Sequence, residues 1–127
     1  MTDIEPIDMR PKLKMLNSNQ RLNRYREAEL IADWKLLGKI AARGHAPIPT
    51  PVRIIVHFWK PNSGRYDPNN LWPTVTPITD GFVAAGILPD DDHKHVIGPD
   101  MRNGGTGPQR IRFTFEPIEA PQPGLFS

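Results

Sequence analysis

The chain contains no cysteine, which excludes disulfide bridges and thiolate metal sites. It has no apolar run near the ~20 residues that a membrane-crossing helix needs. Its first residues, MTDIEPIDMR, are acidic and lack the apolar centre of a secretion signal. No segment repeats another. A soluble, cytoplasmic protein is therefore the expectation. Proline is abundant instead, 15 residues beside 10 glycines, so loops should be many and long elements few. Hydrophobic residues make up 38% of the 127 and charged ones 24%, enough for the modest core of one domain and against global disorder.

Charge is unevenly spread. Between Met9 and Arg65 twelve Lys and Arg face three acids, a local net of +9. Between Tyr66 and Asp100 six aspartates face one lysine. A basic half beside a carboxylate cluster suits a protein that grips a polyanion and holds a metal over it. Uneven charge is also common in domains that bind nothing of the kind.

The apolar pattern predicts alternating elements. Residues 1–8 read as a flexible tail, and Met9 to Met15 alternates weakly, as a short strand would. From Arg21 to Arg43 the period is helical, with Leu30, Trp34, Leu37 and Ala41 as the inward stripe and Ile40 beside it. Gly44 stops the helix, and HAPIPTP continues as an extended connector. Val52 to Trp59 is the strongest strand, with Val52, Ile54, Val56 and Phe58 on its buried face. RYDPNNLWPT reads as a polar loop. A second helix is expected from Thr76, as cap, with Pro77 in its first turn, to Ala85. His95 to Pro99 suggests a short strand, RNGGTG a flexible loop, and Gln109 to Glu116 a strand with one wet face. The order predicts an α+β fold: a small mixed sheet with helices packed on one face. It occupies residues 9–118, with a flexible tail at 119–127.

The stretch Leu88–Val96, LPDDDHKHV, puts three carboxylates after an apolar run. A solvated turn explains them, and so does a cation. Asp67 follows the best strand, Asp80 lies in the second helix, and Asp90 and Asp91 follow it. If that helix folds back along the strand, Asp67 approaches Asp90 and Asp91, and such carboxylates with water suit Mg²⁺. His93 and His95 could hold a transition metal from a strand, but no third histidine or cysteine is near. His57 reads as a packed sheet residue and His45 as loop. Trp59, Tyr66 and Trp72 lie close in sequence to the carboxylates, as core residues or as platforms for unpaired bases.

Taken in order, Asp67-Pro68-Asn69-Asn70, then Asp80-Gly81, then Gly86-Ile87-Leu88-Pro89-Asp90-Asp91 resemble the motifs of the RusA-type Holliday junction resolvases, common in phages and prophages. Leu16-Asn17-Ser18-Asn19-Gln20-Arg21 is similar to an early segment of that family, and the last strand, RIRFTFEPI, also fits. The resemblance spans Lys12 to Ile118. It implies a homodimer that binds four-way DNA junctions and resolves them by paired nicks with Mg²⁺, or Mn²⁺, in a bacterial or phage-infected cell. It also implies roles. Asp67, Asp90 and Asp91 would hold the metal, Asn69 would stand in the catalytic motif, and Asp80 would lie near the site. Arg21, Arg24, Lys35, Lys39, Arg43, Lys60, Arg65 and Arg102 would hold DNA backbone.

Three departures qualify that likeness. The family's second motif aspartate is Asn69 here, which offers an oxygen but no charge. A family lysine four residues before the helix aspartate is Thr76 here. The stretch between Asn70 and Asp80 is a few residues longer than in short members. They raise the alternative of a catalytically weakened protein that still binds junctions.

Overall fold

The strongest alternating segment becomes the centre of a sheet. The computed structural model describes residues 3–61, 64–90 and 94–118. Strand β2 (Val52–Lys60) buries Val52, Ile54, Val56 and Phe58. Strand β3 (Val96–Thr106) pairs with it in parallel and strand β4 (Arg110–Pro117) antiparallel. Strand β1 (Ile7–Met9) closes the far side against β4, giving the order β1-β4-β2-β3. On the inward face of β4, Ile111, Phe113 and Phe115 are buried, as their period-2 spacing requires.

Helix α1 (Arg24–Ala41) starts where the Asn23 side chain accepts the Tyr25 N–H. Helix α2 (Trp72–Ala84) ends at Ala85, and Gly86 follows with a left-handed φ of +86°. Leu30 and Trp34 of α1, Ile78 and Phe82 of α2 and the inward residues of β2 and β4 form one core cluster. Phe82 meets Phe113 edge to face at 5.0 Å. The fold is α+β, with a four-stranded mixed sheet and two helices.

Local expectations differ from it at several points. The early strand is Ile7–Met9, not Met9 to Met15, because Pro11 and the following residues leave the sheet. The segment read as a tail thus supplies a sheet residue, Ile7, which is buried against the core. Ile40 is 45% exposed, and Gly38 takes the inward position instead. The polar loop after Tyr66 folds into a 3-10 turn (Pro68–Leu71) that runs straight into α2. Thr76 therefore caps nothing: its hydroxyl donates to the Trp72 carbonyl at 3.1 Å. Pro77 lies inside the helix, where it offers no N–H to the Pro73 carbonyl.

RNGGTG is strand rather than loop as far as Thr106. Gly104 lies against the Trp59 ring so closely that a Cβ there would be 2.6 Å from it. Those glycines serve close approach and a register shift in β3, not flexibility. The expected tail from residue 119 on lies outside the described residues.

One buried polar residue ties the early segment to α2. The Thr74 hydroxyl donates to the Leu16 carbonyl at 2.7 Å and accepts the Leu16 N–H at 2.8 Å. Thr74→Val keeps the shape but strands both backbone groups, so a loss of ~2–4 kcal/mol in urea unfolding is expected.

Candidate functional site

The C-terminal ends of parallel strands are where α/β units place their ligand sites, because the loops there gather side chains from separate elements. Here that end holds Lys60, Arg65, Tyr66 and Asp67, with Asn103 of β3 across from them. Gly64, Arg65, Tyr66, Asp67 and Asn103 line one open depression of about 520 Å³. The Lys60 ammonium sits 4.5 Å over the Tyr66 ring. The Tyr66 hydroxyl is buried without a hydrogen-bond partner among the described residues, and burial pushes its pKa up.

Asp67 is exposed and caps the 3-10 turn, accepting the Asn69 N–H at 2.9 Å. One oxygen is thereby used locally, and the rest of the carboxylate faces outward. Asn69 is exposed beside it. Asn70 is turned the other way, bonded through its backbone carbonyl and side chain to Ser18 at 2.9 and 3.2 Å. That contact joins the early Asn17-Ser18-Asn19 segment to the motif after β2.

Asp90 lies elsewhere. The Ile48 N–H donates to the Ile87 carbonyl, and the Val52 N–H donates to the His95 carbonyl. The segment after α2 therefore packs at the start of β2, whereas Asp67 follows its end. The helix between them has 13 residues, a rise of roughly 20 Å. The expected approach of Asp67 and Asp90 within one chain does not occur, because α2 runs the whole length of the strand pair. Asp91, Asp92 and His93 lie outside the described residues. Among those described, no three His, Asp or Glu converge as a metal cluster does. Of the donors that the resemblance implies, Asp67 and Asp90 are therefore not gathered at one place within the chain, and Asp91 lies outside the described residues.

Asp80 is exposed midway along α2, clear of both ends. It lines a groove of about 390 Å³ with Glu27, Ile31, Leu22, Trp72 and Thr76. The three aromatics do not cluster. Trp72 opens onto this groove, Tyr66 sits under Lys60, and Trp59 lies on the open sheet face beneath the Arg110 guanidinium, 4.4 Å away.

The basic residues divide. Lys60 and Arg65 stand with Asp67. Arg21 and Arg24 stand near the start of α1, Lys35 and Lys39 are exposed one turn apart towards its end, and Arg43 is exposed in the turn that follows it. Arg102 is on the open sheet face, bound to Asp100 at 2.7 Å, and that bond holds the Asp100 carboxyl below its usual range. His57 shares this face, half-exposed. His45 is in the connector, its Nε2 2.7 Å from the Glu5 carbonyl.

Most charge on the open face is paired, which makes part of the fold pH-dependent. The Arg110 guanidinium bonds both oxygens of Asp8 at 2.7 Å and holds that carboxyl below its usual value. The folded pKa is depressed, so this stabilisation is complete above about pH 4 and fades as pH falls through the folded value. Asp8→Asn should therefore lower the melting temperature at neutral pH, with the gap to wild type closing in acid.

Sequence reading missed Asn103, placed here only by the pairing of β3 with β2, and the Trp72 groove, formed by an early segment and two helices. No family model matches the chain, and no curated protein matches it. Among the described residues no helix is long and apolar enough to cross a membrane.

Proposed function

We propose that this protein is a homodimeric, Mg²⁺-dependent endonuclease that recognises four-way DNA junctions and resolves them by paired nicks. The observation that carries the reading is the position of Asp67: an outward carboxylate on a capped turn at the C-terminal end of β2, flanked by Lys60, Arg65 and Asn103. A cation and a phosphate are the ligands such a mixture of charge suits. The motif resemblance supplies the substrate class. The exposed Lys35 and Lys39 of α1 and Arg43 just past its end add basic charge that DNA backbone would meet. Because Asp67 and Asp90 sit at opposite ends of α2, cleavage requires two chains to bring such carboxylates together. Dimerisation is thus part of the chemistry in this reading.

A second reading keeps DNA binding and drops cleavage. It is favoured by Asn69, which adds no charge to the motif, and by the use of one Asp67 oxygen as a turn cap.

A labelled four-way junction and a matched linear duplex, each incubated with and without Mg²⁺, separate the two. Paired nicks in the junction alone, dependent on Mg²⁺ and lost in Asp67→Asn, establish the nuclease. Salt-sensitive binding without nicks, with Mn²⁺ as well, establishes the binding protein. Equal affinity for both DNAs, without nicks, overturns both.

A further inference from the structure

The depression at the C-terminal end of β2 contains one residue that none of the sequence motifs includes, Asn103. Its place follows from an irregularity in strand pairing. Asn103 pairs with Phe58 and Gly105 with Trp59, so Gly104 is the extra residue of a bulge in β3. The Trp59 ring packs against Gly104, where a Cβ would come within 2.6 Å of it. Further on, the Gly107 N–H donates to the Lys60 carbonyl at 2.9 Å. The backbone that carries Asn103 is thus held to β2 before and after the bulge.

The side chain is oriented as well. Its Oδ1 accepts the Gly105 N–H at 2.9 Å. A backbone N–H only donates, so the oxygen is the end of the amide that faces it. What the exposed amide has left to offer is its nitrogen, with two N–H donors. Asn103 is therefore suited to an anion rather than to a metal ion. Asp67, in the same depression, has the opposite character: an outward carboxylate with one oxygen engaged by the Asn69 N–H. An acceptor and an oriented donor in one open depression suit a phosphodiester bound beside a cation.

We infer that Asn103 is a catalytic residue: its amide donates to a non-bridging oxygen of the phosphate that is cut. The inference rests on the nuclease reading and assigns a role that this reading leaves open. In the nick, a water oxygen bonds to phosphorus and the bond from phosphorus to a sugar oxygen breaks. That sugar oxygen leaves with the electron pair and gains a proton, while the water gives one up. Negative charge on the non-bridging oxygens is greatest while phosphorus is five-coordinate. A donor already aimed at one of them stabilises that state without reorganising. Lys60 and Arg65 bring charge on long side chains with many rotamers, whereas the Asn103 amide brings direction.

Asn103→Asp tests this with little risk to the fold, because a carboxylate oxygen keeps the Gly105 N–H bond while both donors are lost. Asn103→Ala removes the donors without adding charge, and its urea midpoint reports what the Gly105 bond contributes to stability. Junction affinity and single-turnover nicking are measured in Mg²⁺ and in Mn²⁺. The DNA carries an ordinary phosphate, or either phosphorothioate diastereomer, at the mapped nick position. Both variants should nick ~100-fold more slowly than wild type. Affinity, which draws on many phosphates, should change only a few-fold. Sulfur accepts hydrogen bonds poorly, so one diastereomer should slow the wild type in either metal. That slowing should vanish in both variants, because the contact it reports is already gone. Nicking within a few-fold of wild type in both variants overturns the role. Equal sulfur effects in wild type and variants overturn it too, and leave Asn103 as no more than a cap of the bulge. In both cases the nuclease reading stands, since the wild type still nicks. A wild type that leaves the junction uncut in both metals overturns that reading and this role together.

Discussion

An equal mixture of Asp67→Asn chains with chains carrying Asp90→Asn and Asp91→Asn is expected to nick a four-way junction that neither variant nicks alone. Asparagine at position 67 still caps the 3-10 turn, so the variant folds while losing the charge. Each variant alone should fall at least ~100-fold in rate, about 2.7 kcal/mol of transition-state stabilisation. In a mixed dimer with composite sites, one site combines the two altered positions and the other combines Asp67 from one copy with Asp90 and Asp91 from its partner. After random exchange half of the dimers are mixed, so about a quarter of wild-type sites return. Each mixed dimer has a single intact site, so the product is a nicked junction rather than a resolved one. A mixture that exchanges subunits, followed by fluorescence transfer, yet stays inactive would assign both carboxylate functions to one chain. That outcome would contradict the separation of Asp67 and Asp90 along α2.

How much of this was legible in the sequence depends on what each residue's neighbours are. Period-2 alternation in Val52–Phe58 and Ile111–Phe115 gave both central strands with the right inward face, because burial on one side of a sheet is written in the residues themselves. The helical stripe of α1 was legible for the same reason at Leu30 and Trp34. It failed at Ile40, where a glycine, Gly38, faces inward. That choice is set by the neighbouring helix and leaves no apolar mark in α1. The second helix was read too short because Pro73 and Pro77 look like breakers. The start of α2 depends on a 3-10 turn capped by Asp67, and a proline near a helix start costs little. RNGGTG looked like a loop until β2 supplied a partner and Trp59 supplied the surface that its glycines fit.

The candidate site shows the same division. That Asp67 stands at a strand end, exposed, followed from local pattern. Its separation from Asp90 did not, because the length and direction of α2 decide it. Likewise Ser18 and Asn70 are far apart in sequence, and their hydrogen bonds are a product of tertiary structure alone.

Gly38→Ala and Gly81→Ala are each expected to destabilise the protein by about 3 kcal/mol, against the usual sign for helices. In an exposed helix interior, glycine to alanine gains up to ~1 kcal/mol. Here α1 and α2 cross with backbone against backbone. A Cβ on Gly38 would stand 2.4 Å from the Ile78 carbonyl oxygen, and one on Gly81 would stand 2.3 Å from the Lys35 carbonyl oxygen. No side chain can swing aside to make room. The helices must separate, which puts these substitutions at the upper end of the ~1–3 kcal/mol typical of overpacking. Separation also loosens Phe82 from Phe113 and shifts the Trp72 groove, whose walls come from both helices. The double variant should approach the whole stability of a small domain, ~5–15 kcal/mol, and unfold at low denaturant. Urea titrations of the two single variants, with Gly44→Ala as a contrast where a Cβ has open space, give the comparison. At Gly44 the φ of +77° disfavours alanine by a backbone term alone, so a loss of only ~1 kcal/mol is expected. Equal losses at all three positions would mean that the helices are free to move apart, and that their crossing does not set the geometry of α2.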